Sequence, residues 1–403
     1  MRREGWATAI AVVASAALAV LGNPAEGAWA WSAIMLAWGV GIATVLRTPF
    51  GPPGPAAWTA MVCAAIAVRF PLLWVPPGLS DDVYRYAWEG RVWLAGFSPF
   101  AFAPDDPTLA PLRDALWHRV NHREVSSIYP PAAHLMFVAL APGGVLAFRI
   151  FMAACDITTA IVLFRRSPQL GWTWALLPLC VVEGAVSGHL ESAAMLCVAV
   201  SLTRTGPVSS AMAWLGAMIK LLPAVLLVRR SPRTWLLASV ASAAAVTPLL
   251  GAELTRGFET YRGHWSYNGS IFPALVAIGG DDAVVRLVLQ ALGVLIVVCA
   301  VLRIRDPARI ALWAFGTFVV LSPTVHPWYG LWPLLAGLLT GVRAWTVLAV
   351  LLPAAYVVLA TYDPTTSTWT EPWWVGPVIY LPFYATLLYD GWQRWRYASG
   401  ASL

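Results

Sequence analysis

Long, continuous apolar runs separated by short polar breaks dominate this chain. A helix needs roughly 20 apolar residues to cross the hydrocarbon of a bilayer. Runs approaching that length fall at about 7–22, 29–46, 57–75, 145–164, 234–250, 283–302, 308–321, 327–340, 344–361 and 373–390. The stretches 132–142, 171–187, 189–203 and 208–228 are apolar too, but short or broken by Pro, Gly or charge. The pattern predicts an all-α polytopic membrane protein, a single integral-membrane domain over 1–403, with 11 to 13 crossings and some half-helices. A transmembrane barrel would show short alternating segments instead.

Composition supports that reading. Of 403 residues, 59% are hydrophobic and 11% are charged, where a soluble domain carries about 25% charged residues. A soluble enzyme, a disordered chain and a polar-faced solenoid are excluded. Lys220 is the single lysine among 26 Lys and Arg residues. The arginines cluster in short inter-helix breaks, as cytoplasmic anchors do, so the basic balance does not point to nucleic acid. The five cysteines are scattered through apolar stretches without metal-ligand or redox spacing. The N-terminal MRREG followed by an apolar run is read as an uncleaved first helix rather than a signal peptide.

The positive-inside rule orients the ends. Arg2, Arg3 and Arg47 place the first turns inside, which puts 76–131 outside. From the other end, Arg394, Arg396, Arg343, Arg303, Arg305 and Arg309 are inside, and 251–282, 322–327 and 362–372 are outside. The loop 76–131 is the one long polar insertion, and long loops in lean chains are usually functional. Its many Trp, Tyr and Phe residues suggest amphipathic helices lying along the membrane surface.

Chemistry concentrates at a few places. Asp81 and Asp82 follow a helix end at Pro76, Pro77 and Gly78. One such carboxylate can act as a general base while the other raises its proton affinity; an N-cap, Ser80 or Asp81, opening a surface helix explains the pattern equally well. Arg85, one turn on, suits Asp81 or a phosphate. Glu183, His189 and Glu191 interrupt an apolar stretch at Gly184 and Gly188, and ionisable groups at membrane depth are usually kept for function. His189 and Glu191 fit hydrogen bonding, to sugar hydroxyls or within the structure, better than a metal, since no third ligand is near in sequence. Lys220, inside an apolar run before Pro223, is a natural point-charge partner for phosphate. Arg262 and His264 sit in a polar, aromatic stretch, and His326 and Tyr329 lie in a short outer loop. There is no nucleotide-phosphate loop, dinucleotide fingerprint or nucleophile elbow.

Taken together, these residues resemble the GT-C superfamily of integral-membrane glycosyltransferases, and within it the polyprenol-phosphate-mannose-dependent mannosyltransferases. The resemblance is carried by Asp81-Asp82-Val83-Tyr84-Arg85-Tyr86-Ala87-Trp88-Glu89-Gly90, by Tyr129-Pro130-Pro131, by Gly188-His189-Leu190-Glu191-Ser192, by Lys220 with Pro223, and by Trp328-Tyr329. It covers roughly residues 79–335 in the family's order. It implies a lipid-phosphate sugar donor, a catalytic Asp in the first outer loop and inversion at the anomeric carbon.

The expectation is therefore a hexosyltransferase in the bacterial plasma membrane with its site facing outside. It would move a sugar, most simply mannose, from a polyprenyl-phosphate sugar to a glycan or glycolipid acceptor. Asp81 or Asp82 is the expected base, and Lys220, Arg85 and Arg262 the expected phosphate ligands. Tyr86, Glu89, Tyr129, His189, Glu191, His264, His326 and Tyr329 are assigned to substrate contact. No metal ligand set or cofactor is assigned. The competing reading is a transporter or flippase, which predicts inverted repeats; the two halves show no convincing self-similarity.

Overall fold

The computed structural model describes residues 3–46, 54–228, 231–246, 266–363 and 368–399. Regular structure among them is helical throughout. The helices are α1 (Arg3–Leu21), α2 (Ala28–Val45), α3 (Pro55–Arg69), α4 (Asp82–Leu94), α5 (Pro131–Leu140), α6 (Gly144–Arg166), α7 (Pro168–Leu176), α8 (Pro178–Val182), α9 (Glu191–Thr203), α10 (Gly206–Ile219), α11 (Pro232–Val246), α12 (Phe272–Ala277), α13 (Asp282–Arg303), α14 (Pro307–Leu321), α15 (Leu331–Thr340), α16 (Ala344–Leu351) and α17 (Val375–Ser399). Proline opens many of them, including α3, α5, α7, α8 and α14, since its fixed φ suits the first turn and its missing N–H is an orphan there anyway.

Six helical stretches are long and apolar enough to cross a membrane: Arg3–Leu21, Ala28–Val45, Pro55–Trp74, Pro131–Arg166, Asp282–Arg303 and Ala344–Thr361. A seventh arises if Pro168–Leu176 and Pro178–Ser187, bent by 60°, form one broken span. Three more, Glu191–Thr203, Gly206–Ile219 and Pro307–Leu321, are apolar but shorter. Among the described residues this is fewer than the 11 to 13 crossings expected, for identifiable reasons. The runs at 132–142 and 145–164 join into one stretch. The run at 327–340 opens with a 3-10 turn, Pro327–Gly330, which leaves ten residues of α-helix.

The centre of the bundle is the segment 171–195, buried almost without interruption. Pro178 cannot continue α7, and Leu177 before it is extended. The chain re-enters helix as α8, widens into a single π-helical turn over Glu183–Ser187, and reverses at Gly188, whose φ is +68°. Helices α6, α7 and α9 pack around it.

The loop after α3 packs on itself and on the bundle. Helix α4 is covered on most of its circumference, with Val83, Arg85, Tyr86, Ala87, Trp88, Glu89, Gly90 and Val92 all buried. The rest of the loop folds over it with a small core of its own, made of Trp88, Val92, Leu109 and Val120 with Phe97, Phe102 and Trp117 packed alongside. The guanidinium groups of Arg113 and Arg123 both lie over the Trp117 ring, at 4.6 Å and 4.5 Å. Of the loop's aromatics, Trp88, Phe97, Phe102 and Trp117 serve this core, while Tyr84 and Tyr86 pack on the main one. Helix α4 crosses α5 at Gly90, where an added Cβ would lie 2.3 Å from the Phe137 carbonyl oxygen. Gly90→Ala therefore forces the two helices apart, and we expect a loss of about 1–3 kcal/mol of stability, measured as a lower unfolding temperature in detergent.

Candidate functional site

Asp81 sits at the position before α4 without a side-chain capping bond, and Asp82 is the first residue of the helix. Both carboxylates meet one amide. Asn121 Nδ2 donates to Asp81 Oδ1 at 2.7 Å and to Asp82 Oδ1 at 2.9 Å. Asp81 is exposed and Asp82 is half-buried. Tyr86, one turn along α4, points its hydroxyl at Asp82 Oδ2 from 3.4 Å. Protein atoms crowd around Asp81 even though it remains reachable, and together with the charge of Asp82 they push its carboxyl above the usual carboxylate range. Asp82 behaves oppositely. Burial works against its charge, but His189, Lys220 and the Asn121 hydrogen bond outweigh that and hold its carboxyl below the usual range. Adjacent residues of one type are thus split into a more basic, accessible carboxylate and a firmly ionised inner one.

The cationic and aromatic side of the cluster comes from five other parts of the chain. Lys220 ends α10, where a positive charge suits the helix dipole. Its Nζ sits 3.0 Å from Glu191 Oε1 at the start of α9 and 5.8 Å from the centre of the Tyr129 ring. Tyr129 in turn packs edge-on against Tyr86, with ring centres 5.3 Å apart. His189 stacks on Trp328 at 4.0 Å, and Trp328 stacks in parallel on His326 at 4.4 Å. Tyr329 and Tyr267 each approach His326 at 5.4 Å. Burial pushes the His326 imidazole down to about 4, so it is neutral at ordinary pH.

The structure thus brings together Asp81, Asp82, Tyr86, Tyr129, His189, Glu191, Lys220, His326 and Tyr329, drawn from five separate sequence segments. Arg262 and His264 lie outside the described residues. Two of the expected ligands are placed differently from the sequence reading. Arg85 was expected to meet Asp81 or phosphate, but its guanidinium is buried and engaged: Nε binds Glu89 Oε1 at 2.8 Å, Nη1 donates to the Asn121 and His122 carbonyls at 3.2 and 2.9 Å, and Nη2 donates to the Val125 carbonyl. Glu89, expected to touch substrate, is buried between Arg85 and Ser127, whose hydroxyl donates to it at 2.7 Å. Both are supports. A planar fork of five donors suits a run of carbonyls better than one acceptor does, and the run it holds includes His122, whose φ of +42° places it in the left-handed region. His189 and Glu191 are also committed to protein partners. Both ring nitrogens of His189 are used, Nδ1 by Glu183 Oε2 at 2.8 Å and Nε2 by Ser80 Oγ at 3.0 Å.

Sequence reasoning missed Asn121, which carries no signal of its own in a polar loop, and gave Ser80 only the role of a candidate helix cap. It also gave no role to Tyr356, hidden in an apolar run, whose hydroxyl donates to Glu183 Oε1 at 2.5 Å. Among the described residues no group of three or more His, Cys, Asp and Glu is arranged to hold a metal ion. Comparison with protein-family models, curated sequences and solved structures gives no match to this chain. What the helices define is a helical membrane protein, and what the site defines is a polar cluster in which an acidic pair faces a lysine and stacked aromatics. Arg85→Gln should leave the 121–125 backbone without its clamp, and we expect its amide hydrogen exchange to speed up at least tenfold relative to the α6 amides.

Proposed function

We propose that this chain is an inverting glycosyltransferase that takes a hexose, mannose in the simplest case, from a polyprenyl-phosphate donor and transfers it to a hydroxyl of an envelope glycan or glycolipid. The observation that carries this reading is the split acidic pair: an accessible carboxylate of raised proton affinity beside an ionised one, with Lys220 on the far side of the same cluster. In this reading Asp81 takes the proton of the acceptor hydroxyl, and the oxygen attacks the anomeric carbon as the bond to the lipid phosphate breaks. One displacement through an oxocarbenium-like state inverts that carbon. The phosphate leaves as a weak base, so no general acid is needed at that oxygen.

Asp82 stays charged throughout, raises the basicity of Asp81 and shares Asn121 with it. Lys220 meets the donor phosphate while keeping Glu191 as a neighbour, because leaving Glu191 without a countercharge would be costly. His326 and Tyr329, both half-buried, offer ring faces for sugar C–H groups. The prenyl chain lies between helices in the apolar layer. Arg262 and His264 keep their reading as further donor and acceptor ligands. A lateral opening in the outer leaflet suits such a donor, and membrane lipids would line it.

The test is transfer of radiolabelled mannose from polyprenyl-phosphate mannose in membranes of a strain carrying only the variant protein. Asp81→Asn should lower the rate by at least a hundredfold, as expected when a general base is lost. Undiminished transfer by Asp81→Asn and Asp82→Asn would remove the proposed base. The pH profile has a definite sign. Wild-type transfer falls as acid protonates Asp81, and Asp82→Asn, by removing the neighbouring negative charge, should move that acid limb to lower pH while reducing the rate. Lys220→Met should raise the KM for the lipid-phosphate donor more than it lowers kcat.

A further inference from the structure

Glu183 and His189 are the most deeply buried ionisable pair at the site, and neither has accessible side-chain surface. Glu183 accepts two hydrogen bonds, from His189 Nδ1 at 2.8 Å and from the Tyr356 hydroxyl at 2.5 Å. A carboxylate that carries its charge in so apolar a surround needs a countercharge. Among the described residues, the cation placed to supply it by direct contact is His189. The backbone is built to make this pairing. Glu183 opens the π-helical turn, a rare local form concentrated at functional sites. Gly188 then reverses the chain, and the Glu183 carbonyl accepts the N–H groups of both Gly188 and His189. The pair therefore lies within one closed turn, and its outer nitrogen, His189 Nε2, points toward Ser80 Oγ at 3.0 Å and Asp82 Oδ2 at 3.9 Å. Ser80 Oγ also receives the Asp82 backbone N–H at 3.3 Å.

We propose that Glu183 and His189 form a carboxylate–imidazolium unit that positions Asp82: Glu183 keeps His189 as a cation, and that cation fixes the Asp82 carboxylate and its charge at the mouth of the site. His189 is then a positioning residue, not a sugar ligand. Other charged or titratable groups also face Asp82. Asp81 and Tyr86 come from its own helix start, Lys220 from the end of α10, and His326 from the turn before α15, while Glu191 faces His189 from the start of α9. Of these, Lys220 already has Glu191 within 3.0 Å, and His326 is neutral. That leaves His189 as the cation closest to Asp82 whose own countercharge lies on its far side. A cation at that distance lowers a carboxylate's proton affinity by about one pH unit or more.

The inference rests on the transferase reading for its consequence in catalysis, and its readouts are independent of transfer. In the unaltered full chain in lipid nanodiscs, 15N spectra of histidine-labelled protein at about pH 8, where an ordinary histidine is neutral, should show one of the six histidines with both ring nitrogens protonated. Six neutral histidines at that pH would overturn the proposal. In parallel, infrared difference titration follows the C=O band of protonated Asp82, identified by its disappearance in Asp82→Asn. Glu183→Gln and His189→Asn should each move the midpoint of that band up by about one pH unit, whereas Ser80→Ala should move it much less. An unchanged or lowered midpoint in the folded Glu183→Gln and His189→Asn proteins would also overturn it. If wild-type protein gives no mannose transfer while these spectra appear as expected, the transferase reading falls and the Glu183–His189 unit stands.

Discussion

An ionised side chain inside an apolar bundle has to be neutralised where it sits, and nearly every feature of this site follows from that requirement. Arg85 is met by Glu89 and Lys220 by Glu191, at 2.8 and 3.0 Å, and the His189 ring lies 2.8 Å from Glu183. Removing one partner of such a buried pair typically costs about 3–5 kcal/mol, because the survivor is left charged without compensation. The pairs therefore act as fasteners. Lys220–Glu191 ties the end of α10 to the start of α9, and Tyr356 brings the segment after α16 onto Glu183. With all these charges matched, Asp81 and Asp82 stand out as a site where two like charges have been allowed to remain side by side, held by one amide.

The membrane class was legible in the sequence, because it depends on a property that adds up along the chain. Runs of apolar residues need no knowledge of their neighbours. The helix ends were readable for a related reason, since Pro55, Pro131, Pro168 and Pro307 act on their own backbones. The count of crossings was less readable. Whether 171–187 makes one span or two halves depends on the bend at Pro178 and the π-turn, which are settled by packing against α6 and α9.

Of the site, the ionisable members were legible and most of their partners were not. Asp81, Asp82, His189, Glu191 and Lys220 stand out in a chain with 11% charged residues. What the sequence could not show was the direction in which each one points. Arg85 was read as facing a ligand because its spacing from Asp81 allows it. Glu89, four residues further along the same helix, offers a better-placed carboxylate, and the carbonyls of 121–125 arrive from across the loop. Asn121 was invisible because a single amide in a polar loop has no pattern, and its importance lies wholly in where the loop's small core of Trp88, Leu109 and Val120 sets it down.

The three carbonyl contacts of Arg85 have a consequence for traffic. Lifting the 121–125 segment away from α4 would strip a buried guanidinium of most of its acceptors at once and dissolve the small core beneath. A segment fastened in this way is a wall, not a lid. Molecules that reach the acidic pair must then arrive by a route that leaves this wall standing.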